Sequence, residues 1–357
     1  MKPRALPVVP VNILLVVFVI VLIEAIFGSW FNPENLNRLN LIRDARILYK
    51  VDNLYNWPDP YIIYTRDKYG LRGSFASPNE VDILTVGGST TDQRYISDGY
   101  TWQDVIQKEF DKVGAKVVVA NAGVDGQSTF GHIKNFDWWF NQIPELRPGF
   151  ILFYVGLNDF YKDTDYEYDD LVANDNSIKQ LIKERSVFYY LYRTIKAIYK
   201  AHFVYEISHT TIDFGTINWT EKPLLGEYPD FMHDRLTAYA ARLEQLIKRT
   251  RDFGSQPIFV TQPSREYRFN SEQLFGVDII SQYENVRFNG VDFYHMMRSM
   301  DDILLQTCKN NNVLCFDLSR DLATRWEDQD FYDFGHMTPN GAKKVGLYLY
   351  QKLKEHM

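Results

Sequence analysis

Five short apolar runs, each closed by a small or polar residue, constrain this chain more than any other feature. They are Ile83-Leu-Thr-Val86, Lys116-Val-Val-Val-Ala120, Ile151-Leu-Phe-Tyr-Val155, Pro257-Ile-Phe-Val-Thr261 and Val313-Leu-Cys-Phe-Asp317. Each is too brief for a helix and too evenly apolar for a strand with one wet face, so each reads as a buried strand. Helical patterns separate them. Thr101 with Asp104 three residues on is an N-cap signature, and Trp102, Val105, Ile106 and Phe110 follow at helical spacing. Further helices are expected over roughly Met232 to Phe253 and up to about Cys308. Continuous apolar strands alternating with helices predict a three-layer α/β/α domain on a five-stranded parallel sheet.

In such sheets ligands and chemistry collect at the carboxyl ends of the strands. The first run is closed by Gly87-Gly-Ser-Thr-Thr91, which delivers Ser89 to that edge. A serine there is either a turn residue or a nucleophile, and the stretch itself does not decide. A nucleophile needs a base. Near the C-terminus, Thr338-Pro339 starts a helix with Ala342, Val345, Leu349 and Leu353 on one face. Asp333 and His336 then occupy the turn before it. At that spacing the carboxylate can reach the imidazole Nδ1–H, leaving Nε2 to take a serine proton. A surface Asp–His pair is the competing reading. A nucleophile also needs donors for an oxyanion, worth ~3–4 kcal/mol each. Gly126 and Asn158 are candidates: singly they are turn and loop residues, but Ser89, Gly126 and Asn158 close successive strands and should meet on one edge.

These four segments resemble the characteristic blocks of the SGNH (GDSL-type) hydrolase superfamily, in the same order along the chain. Gly87-Gly-Ser-Thr-Thr91 is similar to the first block, with Ser89 at the nucleophile position. Asn121-Ala-Gly-Val-Asp-Gly126 resembles the second, with Gly126 at its oxyanion glycine. Gly156-Leu-Asn-Asp159 resembles the third, with Asn158 at its oxyanion asparagine, and Asp333-Phe-Gly-His336 matches the last. The resemblance covers about residues 81–159 and 230–357. It implies a flavodoxin-like fold and a serine esterase that works through an acyl-enzyme, with Ser89, Asp333 and His336 as the triad. Ser89, Gly126 and Asn158 would form the oxyanion hole, with no metal and no organic cofactor. Two positions depart from the pattern: Gly88 replaces the Asp of the name-giving motif, and Met337 stands where a Pro often follows the histidine. Neither is a triad residue.

The N-terminal segment carries a separate message. Leu6 to Ile23 holds no charge, and Lys2 and Arg4 precede it. Such a run just suffices for a bilayer core of ~30 Å. A transmembrane anchor over residues 6–28 is expected, with the N-terminus cytoplasmic and the remainder on the periplasmic or extracellular side. A cleaved signal peptide is the rival, but the run is long for one and no Ala-x-Ala site follows. Residues 29–80 read as a juxtamembrane segment in which Leu41 to Val51 can form a short helix and Tyr55-Asn-Trp-Pro-Asp-Pro-Tyr61 breaks regular structure. The hydrolase-like domain is placed at residues 81–357, with an insertion at about 160–230 that begins in an acidic, tyrosine-rich run and continues in a helix from Ile178 to about Ala201. The insertion either roofs the site or is a structural excursion.

Other classes fit less well. A net charge of -7 gives no electrostatic reason to expect nucleic acid. Thr91 stands where an α/β-hydrolase elbow needs its second glycine. No zinc-hydrolase ligand motif or Gly-rich phosphate loop occurs. His132, His202, His209, His233 and His295 read as surface or packing residues. Cys308 and Cys315 are either a disulfide or two buried thiols. With 24 Tyr and 24 Phe, the aromatics either fill the core or supply sugar-stacking surfaces. The resemblance implies an acyl ester substrate, and its likeness to anchored relatives that act on cell-surface polysaccharides puts O-acetyl groups on surface glycans foremost. Acyl transfer to a surface polysaccharide, or an anchored non-catalytic glycan-binding or assembly protein, are the alternatives. Arg265 and Arg94 are candidates for binding an acidic sugar, against the alternative that each is a solvated loop residue. A neutral His336 is required for base catalysis, so the rate should fall on acidification.

Overall fold

A computed structural model describes residues 8–31, 36, 39–162, 169, 171, 177–201, 207, 209–227, 230–283, 285–321 and 325–357. Its elements open with helix α1 (Val8–Phe27) and strands β1 (Ala45–Lys50) and β2 (Tyr61–Arg66). Then come β3 (Ile83–Gly87), the one-turn α2 (Ser89–Asp92), α3 (Trp102–Lys112), β4 (Val119–Asn121), α4 (Thr129–Trp138), β5 (Phe150–Tyr154) and the one-turn α5 (Leu157–Phe160). Next are α6 (Ile178–Arg185), α7 (Val187–Ala201), β6 (Trp219–Thr220), α8 (Asp230–Asp252) and β7 (Gln256–Val260). Four short strands follow, β8 (Tyr267–Asn270), β9 (Gln273–Val277), β10 (Ser281–Tyr283) and β11 (Val286–Phe288). The chain closes with α9 (Gly290–Asn311), β12 (Leu314–Phe316) and α10 (Pro339–Leu353).

All five apolar runs enter one parallel sheet in the order β12-β7-β5-β3-β4. Alternate side chains point to opposite faces. Leu84, Val86, Ile151 and Phe153 therefore meet Phe136, Leu243 and Met297 of α4, α8 and α9. Ile83, Leu152, Tyr154 and Ile258 meet Trp102, Ile106, Val345 and Leu349 of α3 and α10. Each such side chain contributes ~1.5–3 kcal/mol by leaving water, which is why both sheet faces must be covered. The register aligns Gly87 with Tyr154 and Tyr154 with Val260, so β3, β5 and β7 finish in one row. Whatever follows those three residues emerges along a single edge.

Thr101 and Asp104 form a full capping box at the start of α3, and Thr338 with Pro339 starts α10. Cys308 and Cys315 are joined as a disulfide, with Cα atoms 6.3 Å apart.

Several expectations are corrected. The stretch from Leu41 to Val51 is not helical: Ala45–Lys50 pairs antiparallel with Tyr61–Arg66, across the chain reversal containing Pro58 and Pro60. Partnering overrides local propensity here, because Tyr49, Ile62 and Tyr64 close a satellite core with Tyr95 and Tyr332. Residues 29–80 are thus not merely a tether, since Arg72 also bridges to Asn121 at the end of β4. The single helix expected from Ile178 to about Ala201 is broken at Ser186, which takes an extended conformation between α6 and α7. Most of the acidic run Asp163–Asp170, and also Lys2, Arg4 and His202, lie outside the described residues. The three-stranded β6-β9-β8 sheet and the β10-β11 hairpin have no counterpart in the sequence reading.

The apolar N-terminal run is α1. Among the described residues, no helix is long and apolar enough to cross a membrane.

Candidate active site

Ser89 is the first residue of α2, directly beyond β3. The turn that presents it is tight for a steric reason. A Cβ on Gly87 would strike the Thr91 side chain, and one on Gly88 would strike the Asn158 amide. Only glycine leaves room for both approaches.

His336 occupies the turn ahead of α10. The Asp333 Oδ1 oxygen accepts from the backbone N–H of Gly335 at 2.9 Å and of His336 at 2.6 Å, which closes that turn. Asp333 Oδ2 lies 2.8 Å from His336 Nδ1, and His336 Nε2 lies 2.7 Å from Ser89 Oγ. With the proton on Nδ1, the ring donates to Asp333 while Nε2 accepts from the serine hydroxyl. Burial alone would raise the Asp333 carboxyl. The hydrogen bond and charge of His336, with the two backbone N–H groups, outweigh it and hold the carboxyl below its ordinary value. An ionised Asp333 then fixes the ring and its tautomer.

Two aromatic neighbours hold the imidazole from behind. Tyr332 stacks on His336 with centroids 5.7 Å apart and planes at 8°. The His209 ring lies 4.5 Å from that of His336, and its Nδ1 is 2.9 Å from the Tyr332 hydroxyl. His209, expected to be a surface or packing residue, packs against the triad itself. Nothing in its local spacing signals this. Burial, then the adjacent His336, push its pKa down, which disfavours a second cation beside a protonated His336. His132 does pack: it is fully buried against Gln127 Oε1, and burial pushes its pKa down to about 3. The ligand atoms of His209, Asp333 and His336 lie within 4.8 Å of one another and could receive a metal ion. Two of the three are already committed to the Ser89 relay, so a cation there would compete with proton transfer.

The candidate oxyanion donors separate. As the first residue of a helical turn, Ser89 has a backbone N–H without an acceptor inside α2. Asn158 in α5 lines the same cavity; one Nδ2–H goes to the Gln127 carbonyl at 2.8 Å, and a second remains. Gly126 has φ +74 and is not among the residues lining the cavity. Its loop reaches the site through Gln127, whose carbonyl sits 3.1 Å from where a Gly88 Cβ would be.

Several supports carried no signal in the sequence. Gln262, beyond β7, donates to Thr90 Oγ1 at 2.6 Å and accepts from Leu157 N–H at 2.8 Å, clasping three strand ends together. Behind α2, the buried Asp92 carboxylate receives Arg66 Nη2 at 2.7 Å and the Tyr64 hydroxyl at 2.8 Å. Arg72 donates to the carbonyls of Asp92 and Gln93. Both arginines come from the segment ahead of residue 81. Arg265 and Arg94, considered for an acidic substrate, are already paired, with Asp328 and with Asp92 and Asp125 respectively.

The cavity beside Ser89 and His336 measures ≈ 180 Å³. Tyr161, Phe293 and Phe334 give it aromatic walls, while Gln262, Ser264 and Glu266 add polar ones. Among the described residues no cation faces Glu266, and burial pushes its carboxyl up to about 8.

No protein-family model matches the chain, and no curated protein matches it. Solved structures of similar fold include a lipase/acylhydrolase from Enterococcus faecalis, at 11% identity and TM-score 0.42, over 77% of this chain and 96% of that one. The psychrotrophic esterase EstA from a Pseudoalteromonas species matches at 11% identity and TM-score 0.41, over 76% and 96%. An acetyl xylan esterase from Geobacillus stearothermophilus matches at 15% identity and TM-score 0.40, over 77% and 96%.

Proposed function

We propose that this chain is a serine ester hydrolase of the SGNH type. The observation that carries the reading is the Ser89–His336–Asp333 relay, with successive contacts of 2.7 and 2.8 Å. Ser89 Oγ attacks an acyl carbonyl while His336 Nε2 takes its proton. The imidazolium, balanced by Asp333, then protonates the leaving alkoxide, and water resolves the acyl-enzyme by the same route. The Ser89 backbone N–H and the free Asn158 amide hydrogen serve the oxyanion, with Gly126 as the third candidate donor. A cavity of ≈ 180 Å³ is below the ~300–1,000 Å³ of sites enclosing drug-sized ligands, which favours a short acyl group over a long chain. Its aromatic and polar walls suit a hydroxylated ring on the alcohol side, consistent with O-acetyl groups on a glycan.

We also propose that α1 anchors the enzyme to a membrane. Its exposed side chains, Leu14, Phe18 and Phe27 among them, are apolar apart from Asn12, a surface that water penalises. On that reading the catalytic domain lies on the outer side.

The experiment is cleavage of p-nitrophenyl acetate by the full chain. Ser89→Ala should lower kcat by at least ~10⁴ with an unchanged circular dichroism spectrum, and a serine-directed fluorophosphonate should label only the wild type. Wild-type turnover by the folded variant would remove the assignment.

A further inference from the structure

One helix outside the site has its apolar side turned the wrong way for a water-soluble domain. On α7, Phe188, Leu191, Tyr192 and Ile195 recur at the spacing that places them on one face. A domain helix buries such a stripe. Here these side chains are 40%, 51%, 55% and 58% exposed, while another side of α7 packs on β1. Two further observations indicate what covers the stripe. The first is continuity with α1. Glu24, near the end of α1, accepts from Ser186 Oγ at 2.5 Å and from Val187 N–H at 3.2 Å. Ser29 N–H donates to the Arg185 carbonyl at 2.9 Å. Glu24 thus caps the first turn of α7, which accounts for a carboxylate at the end of an apolar helix and ties the two exposed apolar surfaces at one corner. The second observation is charge. The α7 sequence holds no acidic residue, Lys196 borders the stripe, Arg193 is exposed on the same helix, and Lys183 is exposed on α6.

We propose that α7 is an interfacial helix that lays its Phe188–Ile195 stripe on an anionic lipid bilayer beside α1. The inference rests on reading α1 as a membrane anchor and adds a second, peripheral contact. Apolar side chains enter the headgroup boundary, tyrosines sit where one end is wet, and Lys and Arg meet lipid phosphates. Two such contacts, joined through Glu24, would fix how the domain is held against the surface rather than leaving it on a swivel.

The test uses the full chain in vesicles of phosphatidylcholine with phosphatidylglycerol. Tyr192→Cys, Phe18→Cys and Lys352→Cys variants each carry an environment-sensitive fluorophore, and lipids with a headgroup-region spin label act as quencher. The Tyr192 site should be quenched at least about twofold more than the exposed Lys352 site on α10. Replacing Arg193 and Lys196 by Glu, or omitting phosphatidylglycerol, should weaken that quenching. Quenching at Phe18 with none at Tyr192 overturns the interfacial helix and leaves the anchor standing. Absence of quenching at both sites overturns the anchor and the inference with it. A blue-shifted but unquenched Tyr192 site means that protein, such as a second copy of the chain, covers the stripe, and this too overturns the proposal.

Discussion

Two corners of the molecule bring together residues far apart in sequence, and they end in opposite conditions. At the sheet edge, Ser89 meets His336 across 247 positions, and Asp333, Gln262, Tyr332 and His209 surround the pair with contacts of their own. At the α1–α7 corner, Glu24 meets Ser186 across 162 positions, and the polar contacts are equally close. Yet the apolar faces flanking the second corner turn outward. The first corner is completed by the chain itself. The second is closed in its polar contacts but open in its apolar ones, and it is there that we propose a membrane contact.

The contrast can be broken at its strong end first. Asp333→Asn keeps the shape but loses the carboxylate that sets the His336 tautomer, so kcat should fall by ~10³–10⁴ with little change in KM. A loss under tenfold would mean that the relay at the sheet edge does not carry the reaction. Arg66→Ala would leave Asp92 buried without its main cation, an expected cost of ~3–5 kcal/mol. Urea unfolding measures it, and a loss below ~1 kcal/mol would show that the N-terminal hairpin is not a brace for α2. Asn158→Ala removes an oxyanion donor and should lower kcat by ~10²–10³. An equal loss for a Gly126 variant would restore Gly126 to the oxyanion role that its place outside the cavity lining weakens.

The smallest effect sharpens the picture of the cavity. Glu266 binds its proton up to about pH 8 in the fold, whereas its ordinary value is 4.5. Between those values the unfolded chain has released a proton that the native state retains, so native stability falls as pH rises. Glu266→Gln should therefore match the wild type near pH 4 and exceed it near pH 8, by ~1–2 kcal/mol once the partial exposure of Glu266 reduces the ~4 kcal/mol of the full shift. Melting temperatures at the two pH values check this. Equal melting at both would mean that a counter-ion reaches the cavity.

Much of the fold was legible because its signals are local. Burial on both faces demands continuous apolar runs, and all five were readable as strands. Helix starts at Thr101 and Thr338 were equally plain, since a cap is made of neighbours in sequence. The Asp333–His336 contact was legible for the same reason, as were Ser89 and Asn158 once the strand ends were placed. Local reading failed wherever a partner from elsewhere outvoted propensity. Within Leu41 to Val51, Ala45–Lys50 became a strand because Tyr61–Arg66 was there to pair with it. His209, Gln262, Arg66 and Arg72 gave no local sign of serving the site, because their roles exist only across loops of many residues.

The sequence by itself determined the layers, the order of the chemical groups along the chain and the apolar character of α1, all consequences of periodicity and near-neighbour chemistry. Tertiary structure alone decided the 2.7 Å approach of Ser89 to His336, the bracing of α2 by Arg66 and Arg72, and the outward turn of α7. Distances between remote residues follow from strand register and packing, and no local pattern encodes those.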